Sequence, residues 1–218
     1  MAAHYTLILG SKNLSSWSLR PYLAMRAAAV PFEEIVIRLD RPDSKAQILR
    51  HSAAGRVPVL KIAENARSLT IWDSLAICET LAERHPAATL WPEDADGRAL
   101  ARSYVSEMHS GFPELRQTLP MDFARVHPTP ELTADVKGQI ARIIEAWTSA
   151  LSRAGAGGFL FGRFSIADCM YAPVVSRFRT YAIELPPPAK AYAERMMALP
   201  AMQDWARAAE AEVDAELA

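Results

Sequence analysis

Gly55-Arg56-Val57-Pro58-Val59-Leu60-Lys61-Ile62 (GRVPVLKI) places a proline at the head of what otherwise reads as a buried strand. Proline donates nothing to a sheet ladder, so within a strand it is confined to an edge, a bulge or the first residue. Two readings of Val57-Pro58 stand open. One is a plain proline at a strand start. The other is a cis Val57–Pro58 bond, low in cost because an X–Pro bond prefers trans by only about 0.5–1 kcal/mol. A cis bond would turn the Val57 backbone N–H and C=O outward, where a bound peptide can pair with them as an added strand.

Outward from this stretch, His4–Leu9, Phe32–Ile37, Val57–Ile62 and Ser68–Trp72 are short apolar runs that read as strands. Between the first two, Leu19, Tyr22, Leu23, Arg26, Ala27 and Val30 follow helical spacing. A polar helical patch covers residues 42–52, and Leu75, Ala76, Cys78, Glu79, Leu81 and Ala82 resume the helical period. The order β-α-β-α-β-β-α predicts one α/β domain with a central mixed sheet over residues 1–83. In residues 84–93 two prolines bracket an aperiodic stretch, which reads as a linker. Residues 94–218 carry no convincing strand; helices are expected over 94–117, 132–153, 165–181 and 188–217, with Pro186-Pro187-Pro188 as a stiff extended joint.

The chain of 218 residues is half apolar, enough to bury a real core. Its 24 basic and 25 acidic residues leave a formal charge of −1, which gives no reason to expect a nucleic-acid or anionic-membrane surface and points to a small partner. No apolar run approaches the roughly 20 residues of a membrane span, and the N-terminus lacks a signal pattern, so a cytoplasmic location is expected. Cys78 and Cys169 stand far apart with no Cys-x-x-Cys and no histidine spacing for zinc; they read as core fillers, and no metal site is expected.

Two strand-to-helix junctions could carry chemistry. At Trp72-Asp73-Ser74, Asp73 or Ser74 makes a good helix N-cap, which alone explains the residue types. The same junction suits an amino-acid head group, with the helix N-terminus and the Ser74 hydroxyl for its carboxylate and Asp73 for its ammonium. At Asn13-Leu14-Ser15-Ser16-Trp17-Ser18-Leu19-Arg20-Pro21, three serines crowd the loop before the first helix. If Ser18 caps that helix, Pro21 falls in its first turn; if Ser16 does, Pro21 lies deeper and kinks it. In both versions a hydroxyl and a helix N-terminus face one spot. With no His-Asp partner and no Gly-x-Ser-x-Gly elbow, the hydroxyl is better suited to donating to an anion than to attack.

Ser15-Ser-Trp-Ser-Leu-Arg20, Gly55-Arg-Val-Pro-Val-Leu60 and Asp73-Ser-Leu-Ala-Ile77, in this order and spacing, resemble the cytosolic glutathione transferases over essentially the whole chain. Phe164-Ser-Ile-Ala-Asp-Cys169 resembles that family's capping box and staple within a buried helix, a structural motif. Within the family the serine motif looks like the zeta class, which has cysteine where this chain has Trp17 and Val-Arg where this chain has Pro21-Tyr22. Glu107–Arg116 and Leu119–Asp122 look similar to a stretch of bacterial zeta-like transferases.

The resemblance implies a thioredoxin-like N-terminal domain followed by an all-helical domain, glutathione as co-substrate, and a homodimer active in detoxification. It implies that Ser15, with Ser16 next in line, holds the glutathione sulfur as thiolate. Val57, followed by a cis Pro58, would pair with the cysteinyl unit, and Asp73 and Ser74 would grip the γ-glutamyl end. Lys45 or Arg41 could receive the glycine carboxylate. Arg20 could orient an acidic substrate, and His109, Phe112 and Arg116 lie on the helix expected to line the substrate cleft. The implied reaction is thiolate attack on a small electrophile. The alternatives are glutathione-dependent cis-trans isomerisation of the maleylacetoacetate type, and a non-catalytic binding or assembly module.

Overall fold

The computed structural model describes residues 3–217, with side chains through Ala215. Strands β1 (His4–Gly10), β2 (Glu33–Ile37), β3 (Val59–Glu64) and β4 (Arg67–Trp72) form one mixed sheet in the order β2-β1-β3-β4. β1 and β2 run parallel, while β3 is antiparallel to both β1 and β4. The register places Ile35, Ile8, Val59 and Trp72 in one row across the sheet. The exit of β1, the entry of β3 and the exit of β4 therefore share one end of the sheet. That end is where the serine loop, Val57-Pro58 and Asp73-Ser74 meet.

Three helices belong to this sheet: α1 (Ser16–Ala27), α2 (Ser44–Leu49) and α3 (Ser74–Arg84). A 3-10 turn at Pro86–Ala88 leads into α4 (Ala95–Ser110), α5 (Pro113–Thr118), α6 (Ala134–Ala154), α7 (Ile166–Thr180), α8 (Pro187–Met197) and α9 (Pro200–Leu217). The architecture is a thioredoxin-like sheet domain followed by a helical domain, and the two share a core. Leu19, Tyr22, Leu23 and Met25 of α1 are at most 1% exposed because α1 packs against both α3 and α7. Burial of each such side chain contributes about 1.5–3 kcal/mol. Among the described residues, no helix is long and apolar enough to cross a membrane.

Several sequence expectations are corrected. α1 is capped by Ser15, whose side chain accepts the Ser18 N–H, so neither Ser16 nor Ser18 is the cap and Pro21 lies inside the helix. The helix expected over 94–117 breaks at Gly111 and Phe112, the latter left-handed at φ 62°, before Pro113 restarts it as α5. The helix expected over 188–217 is two, because Pro200 cannot donate to the preceding turn and opens α9 instead. Pro187 and Pro188 form the first turn of α8, where a missing N–H costs nothing, so the triple proline is not an extended joint. The expected capping box does open α7: Asp168 accepts the Ser165 N–H at 2.9 Å and the Leu160 N–H at 3.1 Å. Full burial pushes the Asp168 carboxyl up to about 6 despite those donors.

Candidate functional site

A cavity of about 590 Å³ opens at the shared end of the sheet, lined by Trp17, Ala54, Arg56, Val57, Pro58, Trp72, Asp73, Ser74 and, from the helical domain, His109. The Val57–Pro58 bond is cis. Val57 precedes the sheet ladder, which starts with Val59 opposite Ile8 and Trp72. Across the cavity, Asp73 adopts the sparsely populated conformation φ 76°, ψ 132° and caps α3, its Oδ1 accepting Leu75 N–H at 2.8 Å and Ala76 N–H at 3.4 Å. Asp73 Oδ2 lies 3.2 Å from His109 Nε2, so the imidazole from α4 already occupies that oxygen. The Ser74 hydroxyl, on a residue 1% exposed, is buried with no hydrogen-bond partner, although its residue lines the cavity. An orphaned hydroxyl at the first residue of a helix is a donor without an acceptor, and such buried groups call for an explanation.

The serine loop is held from three sides. Gly10 N–H donates to Ser18 Oγ at 3.0 Å, the Ser15 and Ser18 hydroxyl oxygens are hydrogen-bonded at 2.7 Å, and Ser18 N–H donates to Ser15 Oγ at 3.3 Å. The Glu212 carboxylate of α9 accepts the backbone N–H groups of Lys12 at 2.9 Å and Asn13 at 3.0 Å. On the opposite side the Asn13 amide donates to Asp122 at 2.7 Å and accepts Ala124 N–H at 2.8 Å. The helical domain thus fixes the loop that carries Ser15. Ser15 and Ser16 are 5% and 6% exposed. Neither lines the cavity wall, whereas their neighbour Trp17 does.

Trp17 is flanked by two cations. The Arg20 guanidinium lies 4.1 Å from its ring centre and that of Arg116 5.1 Å, while the His109 ring meets it edge-on at 5.2 Å. Arg20 is fully buried, and none of its three side-chain nitrogens has a hydrogen-bond partner. Burial, then repulsion from Arg116 and Arg177, holds its pKa well below the ordinary range. Arg116 is lowered by burial as well and donates to the carbonyls of Gly111, at 3.0 Å, and Met108. His109 is also lowered, first by burial; Asp73 opposes this, and Arg20 and Arg116 add to it. Phe112 is buried, and as the left-handed residue before α5 it shapes the break that lets Arg116 reach back to Trp17.

Of the residues singled out from sequence, Val57, Pro58, Asp73, Ser74 and His109 line the cavity, and Arg20 and Arg116 sit against its Trp17 wall. Lys45 instead donates to the Gly55 carbonyl at 2.9 Å, and Arg41 takes its place in the loop before α2, its N–H on Ser44 Oγ at 3.0 Å; neither lines the cavity. Arg56, Trp17 and Trp72 were missed. Each adjoins a motif residue in sequence, and that adjacency was the available signal.

Residues 14–84 match the glutathione S-transferase N-terminal domain and residues 130–208 the glutathione S-transferase C-terminal domain. The chain belongs to the glutathione S-transferase family, and its relatives include zeta-like members. It is 29% identical over 185 residues to a probable maleylacetoacetate isomerase 2 of Drosophila melanogaster, covering 83% of this chain and 78% of that protein. A shorter match, 33% over 89 residues, to the pyrimidodiazepine synthase of Drosophila melanogaster covers 40% of this chain and 35% of that protein. Among solved structures, the maleylacetoacetate isomerase of Anaeromyxobacter dehalogenans 2CP-1, which has glutathione bound in its active site, superimposes with a TM-score of 0.66 at 26% identity over 94% of this chain and 95% of that one.

Proposed function

We propose that this protein binds glutathione in the cavity at the end of the sheet and ionises its thiol for attack on a small electrophile. The observation that carries this reading is the convergence of Val57, Asp73 and the orphaned Ser74 hydroxyl on one cavity next to the capped N-terminus of α1. The tripeptide lies extended along Val57, whose backbone N–H and C=O pair with the cysteinyl unit. The γ-glutamyl carboxylate takes the Ser74 hydroxyl and the α3 N-terminus. Its ammonium takes Asp73 Oδ2, displacing His109. Arg56, at the cavity wall, is better placed for the glycine carboxylate than Lys45 or Arg41.

The sulfur then falls at the tip of α1, where Ser15, or Ser16 beside it, donates a hydrogen bond. Lowering a thiol from a pKa of about 8.5 to about 6.5 requires about 2.7 kcal/mol. A hydrogen bond to a charged group supplies about 1.5–3 kcal/mol and a helix terminus about 0.3–1 kcal/mol, which together suffice. The gain in rate from ionisation alone is only several-fold, because nucleophilicity falls with pKa, so most of the acceleration comes from holding the electrophile beside the sulfur.

One observation favours isomerisation over conjugation within this reading. A fully buried guanidinium without a partner is costly, and stacking on Trp17 returns only about 2 kcal/mol. With the Trp17 ring turned aside, a substrate carboxylate in the cavity would reach Arg20 and satisfy it, as would suit an unsaturated acid to which the thiolate adds and from which it leaves after rotation about the former double bond. The two outcomes separate on free thiol. A conjugating enzyme consumes glutathione mole for mole with the electrophile, whereas an isomerase leaves its concentration unchanged. Binding to immobilised glutathione with no turnover of either substrate type would instead favour the non-catalytic module. A homodimeric, cytoplasmic enzyme is part of the proposal, and sedimentation at low micromolar concentration tests the dimer.

A further inference from the structure

Ser18 is fully buried in the first turn of α1, and its hydroxyl has two neighbours: the Gly10 N–H at 3.0 Å and the Ser15 hydroxyl at 2.7 Å. A hydroxyl carries one hydrogen to donate and two lone pairs. Either oxygen of the Ser15–Ser18 pair can supply the hydrogen between them, and the two directions are not equivalent. With Ser15 donating, Ser18 Oγ accepts twice and its own hydrogen has no acceptor among the described residues, an unsatisfied donor on a fully buried residue. With Ser18 donating, every polar atom of Ser18 is satisfied. Ser15 Oγ then accepts from both the N–H and the O–H of Ser18, and its remaining hydrogen is the one left to point away from the pair.

We infer that Ser18 is a positioning residue for the thiol-activating step. Held by Gly10, it donates to Ser15 and so commits the Ser15 hydrogen to an acceptor outside the loop, the glutathione sulfur. Ser15 already receives two hydrogen bonds in this arrangement, which polarises its O–H and strengthens what it donates. The crowding of hydroxyls between residues 15 and 18 then has a division of labour: one donates to the anion and another fixes the donor's direction. This inference rests on the Ser15 reading above, and it concerns a residue that never touches the ligand.

The test is the ultraviolet titration of thiolate for glutathione bound to the full-length protein, paired with binding of S-methylglutathione, which has no ionisable thiol. Ser18→Ala is expected to raise the thiol midpoint by roughly one unit, so that below the midpoint the thiolate fraction falls about tenfold and kcat/KM about three- to fourfold, the remaining thiolate being more nucleophilic, and kcat/KM recovers at high pH. The dissociation constant for S-methylglutathione stays within about twofold, because no contact to the ligand is removed. In a Ser15→Ala background the same substitution moves the midpoint no further, since the two residues act as a unit. Ser18→Thr, which keeps the hydroxyl, matches the unsubstituted protein. A midpoint unmoved by Ser18→Ala, with binding of S-methylglutathione weakened instead, overturns the inference in favour of a purely structural serine. If Ser18→Ala does not fold, a Ser18→Thr midpoint raised to that of Ser15→Ala overturns it equally. An unsubstituted protein whose bound thiol titrates no lower than free glutathione removes the Ser15 reading itself, an outcome distinct from a low midpoint that Ser18→Ala leaves in place.

Discussion

Replacing Asp73 with asparagine separates the two jobs of its carboxylate. Oδ1 caps α3 through the Leu75 and Ala76 N–H groups, and asparagine serves as an N-cap about as well as aspartate. Oδ2 faces His109 in a pair whose side chains are 26% and 44% exposed, worth about 0–1 kcal/mol at such exposure. Folding stability should therefore change by less than about 1 kcal/mol. Ligand binding should change more. A hydrogen bond between an ammonium and a carboxylate contributes about 1.5–3 kcal/mol, equivalent to roughly 10- to 150-fold in affinity. The Asp73 side chain is 44% exposed, so solvent screening places the expected loss near the lower end, about tenfold. Calorimetry with glutathione and with its N-acetylated form closes the cycle. Acetylation removes the ammonium charge, so it should weaken binding to the unsubstituted protein by a similar factor and binding to Asp73→Asn hardly at all. Equal penalties for acetylation in both proteins would refute the pairing of Asp73 with the ligand's ammonium.

His109 binds its proton less readily in the fold than the ordinary value of about 6.5, so below that pH the unfolded chain holds more protons and stability is lost as pH falls. His109→Gln should flatten this part of the Tm profile below about pH 6.5, and an unchanged slope would contradict the assignment. Arg20→Met should raise Tm, because replacing a buried ionic group with an apolar one of similar size is often stabilising by about 1–4 kcal/mol, while weakening inhibition by dicarboxylates. A lower Tm would mean that the guanidinium has a compensating partner. Asp168→Ala removes the acceptor of two backbone N–H groups, from Leu160 and Ser165, and should cost about 2 kcal/mol or more in denaturant unfolding. A loss below about 0.5 kcal/mol would show that the box is not needed.

The sheet was legible because each strand is a compact apolar run, and Val57-Pro58 marked the entry to β3 before any coordinate. Its cis geometry was not legible from the residues alone, since both isomers are compatible with a proline at that place; the family resemblance implied it, and the bond is cis. The helix breaks at Phe112 and Leu199 did carry breaker residues, Gly111 and Pro113 at one and Pro200 at the other, but helical spacing persists across both tight connections and masks them. Asp73 and Ser74 were found because a strand-to-helix junction with those side chains has few uses. What escaped was the part of the site built by distant chain segments. Glu212 on Lys12 and Asn13, Asp122 on Asn13, and His109 on Asp73 span from tens of residues to about two hundred, and no local pattern announces them. Trp17 was read as a departure from the zeta motif, whereas it forms the wall between the cavity and the buried Arg20.

The most direct measurement is a crystal structure of the protein with glutathione bound. The account predicts a tripeptide extended along Val57, its ammonium on Asp73 with His109 turned away, and its sulfur within hydrogen-bond reach of the Ser15 or Ser16 hydroxyl. A sulfur directed away from both hydroxyls, or a cavity left empty at saturating glutathione, would contradict it.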